Sequence, residues 1–191
     1  MLRLILASAS PRRAELLRAA GIAFEIVPAR IDERPRESET SEDYVERLAR
    51  DKAQAVSLHH PHAAVLAADT TVVIDGLILG KPLDDDDARA MLARLSGRTH
   101  DVLTGVALVW NGHLASAVET TRVGFAPMSH ADVEWYVASG EPRGKAGAYA
   151  VQGLASRFVD RIEGSYSNVV GLPVATVWRL LRETGGWGSE R

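Results

Sequence analysis

The chain has 191 residues, 46% hydrophobic and 25% charged, and can bury roughly 70% of its unfolded surface as one large domain. It contains no cysteine, which excludes disulfides and thiolate metal sites and leaves oxygen or imidazole ligands for any metal. Lys and Arg number 22 against 25 Asp and Glu, a formal net charge of −3, which argues against binding of long nucleic acid. No apolar run approaches the ~20 residues of a membrane span, and the opening residues are too short for a signal peptide, so we expect a cytoplasmic protein without membrane contact.

The N-terminal segment predicts a buried strand that leads directly into a helix. The strand covers residues 2–7, and Ser10 is a favourable N-cap. Pro11 then opens the helix and places Arg12 and Arg13 in its first turn. Helix N-termini carry partial positive charge, so two cations there are stable if an anion such as a phosphate chain binds beside them. The alternative is that both guanidinium groups point to water or to nearby acids.

The second predicted helix carries a lysine on its apolar face. A short strand over residues 24–27 and a charged loop over residues 30–37 precede it, and Thr40 or Ser41 can cap it. At helical spacing, Lys52 falls inside the apolar stripe, whereas the other charged residues fall outside it. Its ammonium group either reaches solvent along its apolar stem or meets an anion, because an unpaired buried charge costs several kcal/mol.

A hairpin is predicted at Asp75-Gly76, the residue pair that most strongly favours a two-residue turn between strands. Residues 63–68 form an apolar strand that ends at Asp69. Ligands commonly bind at the carboxyl ends of strands in α/β sheets. We therefore expect Asp69 to lie at the end of a strand, at the edge of a binding site.

The register of the hairpin brings an acid and a base together. Ile74 is expected to face Leu77 across the turn. Counting back from that pair places Thr70 opposite Lys81, so the Lys81 ammonium group meets the carboxylate of Asp69 at the open end. This contact is either an edge-strand ion pair worth ~0 to 1 kcal/mol or part of a functional site.

The second half of the chain predicts another hairpin, two helices and a glycine-rich segment. Residues 102–110 and 113–125 flank the turn pair Asn111-Gly112. Ser129 caps a helix, and Pro173 opens a last helix that ends at Gly185. Glycines between residues 140 and 171 either allow close approach of the backbone to a ligand or form plain turns. We expect one domain over residues 1–185 and a disordered tail over residues 186–191.

Two other clusters have simpler explanations than metal binding. The four acids at residues 84–87 precede a helix and satisfy its dipole. His59, His60 and His62 lie where a helix ends, which favours solvated side chains.

Seven motifs stand in order along the chain: SASPRR, IDE with Glu33, RDKA with Lys52, AADTT, GKP, AGAYAVQG and NVVGLP. Each is weak alone, but together they are specific, and the chain resembles the Maf family of nucleoside triphosphate pyrophosphatases over nearly its whole length. The resemblance implies an α/β fold of the Maf/ITPase-like type, a twisted mixed β-sheet with flanking helices and two lobes around a central cleft. It also implies cleavage between the α- and β-phosphates, with a divalent cation, Mg²⁺ or Mn²⁺, as cofactor.

The resemblance assigns roles to individual residues. Asp69 is similar to the family's catalytic acid residue, which accepts a proton from water and helps to hold the metal. Glu33 resembles a second carboxylate of the metal site. The positions expected to hold the triphosphate match Ser8, Arg12, Arg13, Lys52 and Lys81. The substrate-selecting positions correspond to Arg12, Thr70 and Gln152.

The pairs Asp69-Thr70 and Gln152-Gly153 resemble the branch of the family that acts on dTTP and UTP. The branch that acts on 7-methylguanosine triphosphate carries Asp-Gln and Glu-Gly instead. A neutral Gln amide offers one donor and one acceptor edge, which suits the imide of uracil or thymine. We therefore predict an enzyme for dTTP, UTP and modified pyrimidine nucleotides, and the resemblance to the family further implies a homodimer. The alternatives are a 7-methylguanosine triphosphate pyrophosphatase and a non-catalytic nucleotide-binding regulator of septum formation.

Overall fold

The computed structural model describes residues 3–184. The predicted end of the last helix at Gly185 and the predicted tail lie outside these residues. The chain divides into two compact units. The first comprises the residues up to Asp69, Thr104–Glu119 and the residues from Gly171 onward, and the second comprises Thr70–Leu103 and Thr120–Val170.

Within residues 3–184, seven strands form one mixed sheet with helices around it, as the resemblance implied. The strands are β1 (Leu4–Leu6), β2 (Glu25–Ile26), β3 (Ala64–Ile74), β4 (Leu77–Leu79), β5 (Thr99–Trp110), β6 (His113–Phe125) and β7 (Val159–Glu163). Their order is β2-β1-β3-β5-β6-β7, and β4 pairs with β3. Strand β1 runs parallel to β2 and β3, whereas the β3–β4 and β6–β7 pairs are antiparallel.

The helices are α1 (Pro11–Ala19), α2 (Ser41–Ser57), α3 (Asp85–Leu95), α4 (His130–Ala138), α5 (Tyr166–Val170) and α6 (Val174–Glu183), with two 3₁₀ turns at Ala146–Ala148 and Leu154–Arg157. The predicted N-caps are confirmed at Thr40 and Ser129, whose side chains accept hydrogen bonds from backbone amides in the first turn. Ser10 occupies the predicted N-cap position of α1, but its side chain makes no capping hydrogen bond. None of the helices within residues 3–184 is long and apolar enough to cross a membrane.

The first unit is organised around β1, which is buried on both faces. Leu4 and Leu6 belong to one apolar cluster together with Leu17 of α1 and Leu180 of α6. Ile5, between them, belongs to a second cluster with residues of α2. Alternating side chains of a strand point to opposite faces, so helices cover β1 from both sides, as is usual for parallel strands.

Both predicted hairpin turns form. Asp75 and Gly76 have φ values of 53° and 74°, the positive values that a type I′ turn requires at both central positions. Asn111 and Gly112 repeat this geometry with 49° and 77°. Ile74 pairs with Leu77, so the predicted register at the first turn is confirmed.

The prediction around Asp69 is wrong in two respects. The strand predicted over residues 63–68 does not end at Asp69 but continues to the hairpin turn as one strand, β3, so Asp69 lies within a strand. The β-branched residues that follow Asp69 continue the extended backbone. The ladder between β3 and β4 ends at Val72↔Leu79, so Thr70 and Lys81 do not form the predicted cross-strand pair. Just beyond the end of β4, the carbonyl of Gly80 accepts a hydrogen bond from the Gly147 amide at 3.0 Å.

The glycine-rich segment contains regular structure that the sequence analysis missed, namely β7 and the short helix α5. In this segment Asn168 of α5 is fully buried. Its side-chain amide donates to the Val102 carbonyl at 3.0 Å and to the Thr121 hydroxyl at 2.9 Å. These contacts give Asn168 a structural role within the second unit.

Candidate active site

Lys52 joins two carboxylates in the first unit. Its Nζ lies 2.6 Å from Oδ1 of Asp69 and 2.7 Å from Oε1 of Glu33. The side chains of Lys52 and Asp69 are only 9% and 13% exposed, whereas that of Glu33 is 46% exposed. Of the two alternatives for Lys52, the structure therefore shows the second, in which the ammonium group meets anions instead of reaching solvent.

Asp69 lies beyond the end of the parallel strand β1. The parallel pairing of β3 with β1 ends at Leu6↔Leu66, and the Ala7 amide donates to the Leu66 carbonyl at 2.7 Å. The carboxylate thus extends past the carboxyl end of its neighbouring strand, which is where α/β sheets commonly bind ligands. Asp69 therefore lies at the expected edge of the sheet because the neighbouring strand β1 ends there, although β3 itself continues past Asp69.

The loop that carries Glu33 is fixed by two residues of α2 that the sequence analysis did not identify. The hydroxyl of Tyr44 donates to the Glu33 carbonyl at 3.0 Å. Arg47 donates from Nη2 to the Arg34 carbonyl at 3.2 Å and to Oε2 of Glu39 at 2.7 Å. Tyr44 and Arg47 are three residues apart and so lie on one side of α2. The sequence signal that could have identified them is a tyrosine and an arginine three residues apart on a predicted helix that directly follows a charged loop.

Burial raises the pKa of the Tyr44 phenol, and the nearby charges of Asp69 and Glu33 raise it further. The phenol therefore remains protonated at neutral pH, as its role as hydrogen-bond donor requires.

Arg13 makes contacts that neither sequence-based alternative included. Its Nε donates to the Gly171 carbonyl at 2.8 Å, and its Nη1 donates to the Ala68 carbonyl at 2.7 Å and to Oγ of Ser8 at 3.2 Å. Burial lowers the pKa of this guanidinium group, whereas the charge of Asp69 opposes that shift. Arg13 thus joins three segments of the first unit next to Asp69. Phosphate binding by this residue stays a prediction.

Ser8 and Arg12 complete the predicted set in the first unit. Ser8 is buried, and its Oγ accepts a hydrogen bond from the Ser10 amide at 3.2 Å as well as from Arg13. Arg12 precedes Arg13 in the first turn of α1, and its charge contributes to the lowered pKa of that neighbour. Ser8, in the turn between β1 and α1, is thus hydrogen-bonded to Arg13 in the first turn of α1, which also carries Arg12.

Glu33 and Asp69 fit a small divalent cation by their chemistry. Carboxylate oxygens are the ligands that Mg²⁺ prefers, and Mg²⁺ is usually bound through one or two carboxylates together with water and substrate phosphates. The two groups converge on one ammonium ion. Within residues 3–184, no group of three or more His, Asp or Glu side chains is arranged to hold a metal. A cation at this pair would therefore need oxygen ligands from water or substrate.

Three predicted site residues belong to the second unit. Thr70 follows Asp69 in β3 and is half-buried, and Lys81 is exposed two residues after the end of β4. Gln152 is exposed, two residues before the 3₁₀ turn at Leu154–Arg157.

Another acid that the sequence analysis missed, Glu141, contacts the segment that carries Gln152. Its Oε2 accepts a hydrogen bond from the Leu154 amide at 2.9 Å. The only sequence signal for this residue is its place at the start of the glycine-rich segment.

Comparison with known proteins identifies relatives over almost the whole chain. A family model described as "Maf-like protein" matches residues 3–184. The chain is 54% identical over 182 residues to a protein of Myxococcus xanthus named dTTP/UTP pyrophosphatase, which covers 95% of this chain and 92% of that protein. It is 51% identical over 185 residues to a protein of the same name from Symbiobacterium thermophilum, with 97% and 95% covered.

A solved structure with a similar fold is that of the Ham1 protein of Staphylococcus aureus. The TM-score is 0.54 at 11% sequence identity, and the match covers 95% of this chain and 99% of the other. Identity this low supports similarity of fold and not of activity. The Maf/ITPase-like fold implied by the sequence is thereby confirmed.

Proposed function

This chain belongs to the Maf family, and on that premise we propose that it is a nucleoside triphosphate pyrophosphatase. The proposed substrates are dTTP, UTP and modified pyrimidine nucleotides, and the products are the nucleoside monophosphate and pyrophosphate. Relatives that are 51–54% identical carry the name dTTP/UTP pyrophosphatase. The observation that supports the proposal best is the contact of Lys52 with both Asp69 and Glu33.

The proposed reaction is attack of water on the α-phosphorus. The bond from that phosphorus to the oxygen that bridges it to the β-phosphate breaks, and pyrophosphate leaves with the electron pair. Asp69 accepts the proton that water loses, and Lys52 holds the carboxylate in place through the 2.6 Å contact. Phosphoryl transfer depends mainly on positioning and on neutralisation of charge, so no covalent nucleophile is needed.

The cationic groups of the proposed site neutralise the triphosphate. Arg12, Arg13, Lys52 and Lys81 supply positive charge, and the Ser8 hydroxyl can donate a hydrogen bond. Glu33 and Asp69 would hold a divalent cation, Mg²⁺ or Mn²⁺, which when bound neutralises phosphate charge and polarises phosphoryl oxygens.

Selection of the base is assigned to Arg12, Thr70 and Gln152. The exposed amide of Gln152 can donate one hydrogen bond and accept another, which matches the carbonyl and N–H groups of the uracil or thymine imide. The proposal also includes a homodimer that acts in the cytoplasm. Its oligomeric state can be measured by sedimentation.

Pyrophosphate release from a panel of nucleotides tests the proposal directly. We expect hydrolysis of dTTP and UTP that needs added Mg²⁺ or Mn²⁺ and that a chelator abolishes. Asp69→Asn should lower kcat at least 100-fold and leave nucleotide binding in place. Asp75→Asn, which changes an exposed acid in the turn of the same hairpin, is the matched control and should leave kcat unchanged.

Three outcomes would contradict the proposal. A preference for 7-methylguanosine triphosphate would favour the sister branch of the family. Nucleotide binding without turnover in the wild type would favour a non-catalytic regulator. Full activity of Asp69→Asn would remove Asp69 from the reaction.

A further inference from the structure

Glu141 is a partly buried acid whose carboxylate is saturated by the segment next to Gln152. Its Oε2 accepts from the Leu154 amide at 2.9 Å, and its Oε1 accepts from the Ala155 amide at 3.3 Å and from the Tyr136 hydroxyl at 2.8 Å. Its main-chain carbonyl accepts from Nζ of Lys145 at 2.5 Å. Both ends of this residue are therefore fixed by hydrogen bonds within the second unit.

The same network reaches the other side of Gln152. The Tyr136 hydroxyl, which donates to Glu141, accepts a hydrogen bond from the Ala150 amide at 3.3 Å. Tyr136 is fully buried in α4. The Tyr136–Glu141 pair thus binds backbone amides on both sides of Gln152, that of Ala150 before it and those of Leu154 and Ala155 after it. The side chain of Gln152 itself is exposed.

Gly153 leaves room for the Glu141 carboxylate. A Cβ atom at residue 153 would lie 2.3 Å from Oε2 of Glu141. The φ of Gly153 is −105°, so the backbone angle does not call for glycine here. The acid occupies the space beside residue 153, which explains why glycine directly follows Gln152.

The carboxylate is suited to this role by its charge. Burial alone would raise the pKa of Glu141, but the hydrogen bonds from Leu154, Tyr136 and Ala155 outweigh burial and lower it. The group is therefore ionised at neutral pH and offers acceptors only. A glutamine at position 141 would turn the N–H groups of its side-chain amide toward the Leu154 amide or toward the Tyr136 hydroxyl and Ala155 amide, and the donors on that side would then lack an acceptor.

We propose that Glu141, together with Tyr136, is a positioning residue for base selection, because it fixes the backbone on both sides of Gln152. The inference rests on the proposed function, in which Gln152 reads the imide edge of thymine or uracil. A recognition group discriminates between ligands only when its own geometry is held by the surrounding structure. Without Glu141, the side-chain amide of Gln152 samples several orientations, and bases that lack the imide edge are no longer bound more weakly than thymine or uracil.

The test compares dTTP with dCTP, whose base presents an amine and a ring nitrogen in place of the imide. We measure kcat and KM for both nucleotides with the wild type, Glu141→Gln, Tyr136→Phe and Gly153→Ala. Each variant should lower the dTTP-to-dCTP ratio of kcat/KM about tenfold, chiefly through KM for dTTP. The effect on kcat at saturating dTTP should stay below about threefold, because the reacting groups are unchanged.

Glu134→Gln is the matched control. Glu134 lies on α4 and pairs with Arg89 at a partly exposed site, so its variant should keep the wild-type ratio. A purely structural role of Glu141 would lower the melting temperature and leave the dTTP-to-dCTP ratio unchanged, and that result would overturn the inference. A wild type that hydrolyses neither nucleotide, or both equally, would overturn the proposed function and the inference with it. A preserved wild-type preference that the variants also keep would overturn the inference alone.

Discussion

The contact between Lys52 and Asp69 can be tested by a double-mutant cycle. Lys52→Met keeps the length and apolar stem of the side chain, so the packing of α2 is preserved while the ammonium group is lost. The Asp69 and Glu33 carboxylates, which both contact Nζ at 2.6 and 2.7 Å, then lose their shared counter-charge. Asp69→Asn removes one charge and leaves Lys52 paired with Glu33.

The expected size follows from exposure. Exposed ion pairs contribute ~0 to 1 kcal/mol, whereas removal of one partner of a buried pair costs ~3 to 5 kcal/mol. Lys52 and Asp69 are close to the buried class at 9% and 13% side-chain exposure, and Glu33 is partly solvated at 46%. We expect Lys52→Met to lower the free energy of unfolding by about 3 kcal/mol. In a chain of this size that corresponds to a fall of roughly 6–12 °C in melting temperature.

The assay is urea denaturation of the wild type, both single variants and the double variant. The double variant has no unpaired buried charge at this position, so its loss of stability should be smaller than the sum of the two single losses. The difference, the coupling energy, should be about 2 kcal/mol. The exposed pair Arg3–Glu25, whose side chains are 52% and 54% exposed, serves as a control cycle and should show a clearly smaller coupling.

A coupling energy below about 0.5 kcal/mol would be within the additivity of independent sites. It would refute the argument that Lys52 and Asp69 form a desolvated pair. Equal coupling in the Arg3–Glu25 cycle would refute the argument that burial determines the size of the effect.

Two further predictions concern stability. Burial lowers the pKa of His100 from 6.5 to about 4. Between these values the unfolded chain binds a proton that the folded chain does not, so the free energy of unfolding falls as the pH falls from about 6.5 to about 4. Urea denaturation should show that this group alone removes about 2 kcal/mol between pH 7 and pH 5, and His100→Gln should lose that part of the pH dependence. A wild type and variant with the same pH dependence would contradict the assignment. A Cβ atom at residue 105 would lie 2.2 Å from the Val45 carbonyl oxygen, so Gly105→Ala should lower the free energy of unfolding by more than about 2 kcal/mol. A Cβ atom at residue 80 would meet nothing within 4 Å, so Gly80→Ala, the control, should leave the stability nearly unchanged. Equal melting temperatures of the two variants would show that α2 can move away from β5.

The predictions that succeeded rest on local rules. The turn at Asp75-Gly76 formed as expected because type I′ turns need positive φ at both positions, and the flanking aliphatic residues then fixed Ile74 against Leu77. Thr40 capped α2 because its side chain accepts a hydrogen bond from an amide of the first turn. For Lys52, two alternatives were left open, and the structure shows the one in which the ammonium group meets anions.

The predictions that failed depended on contacts distant in sequence. The hairpin sequence predicted pairing as far as Thr70 and Lys81, whereas the ladder between β3 and β4 ends at Val72↔Leu79 and the Gly80 carbonyl accepts a hydrogen bond from Gly147, a residue distant in sequence. Arg13 was interpreted from the helix dipole, yet the Gly171 and Ala68 carbonyls are its partners. The role of Glu141 is likewise invisible in its own motif, because the amides that it binds follow 13 and 14 residues later.

The buried charges of this protein need a different explanation from its clustered charges. The acids at residues 84–87 form a dense cluster, but Asp84 caps α3 and the next three acids occupy its first turn, so helix stability explains them. Lys52 has no such explanation, because apolar residues in place of a buried ion pair are often neutral or stabilising. Glu141 is a partly buried charge too, and its carboxylate accepts hydrogen bonds from the Tyr136 hydroxyl and from the Leu154 and Ala155 amides. In each unit, therefore, a partly or fully buried charge contacts a proposed site residue or its neighbours: Lys52 contacts Asp69 in the first unit, and Glu141 contacts the backbone two residues after Gln152 in the second.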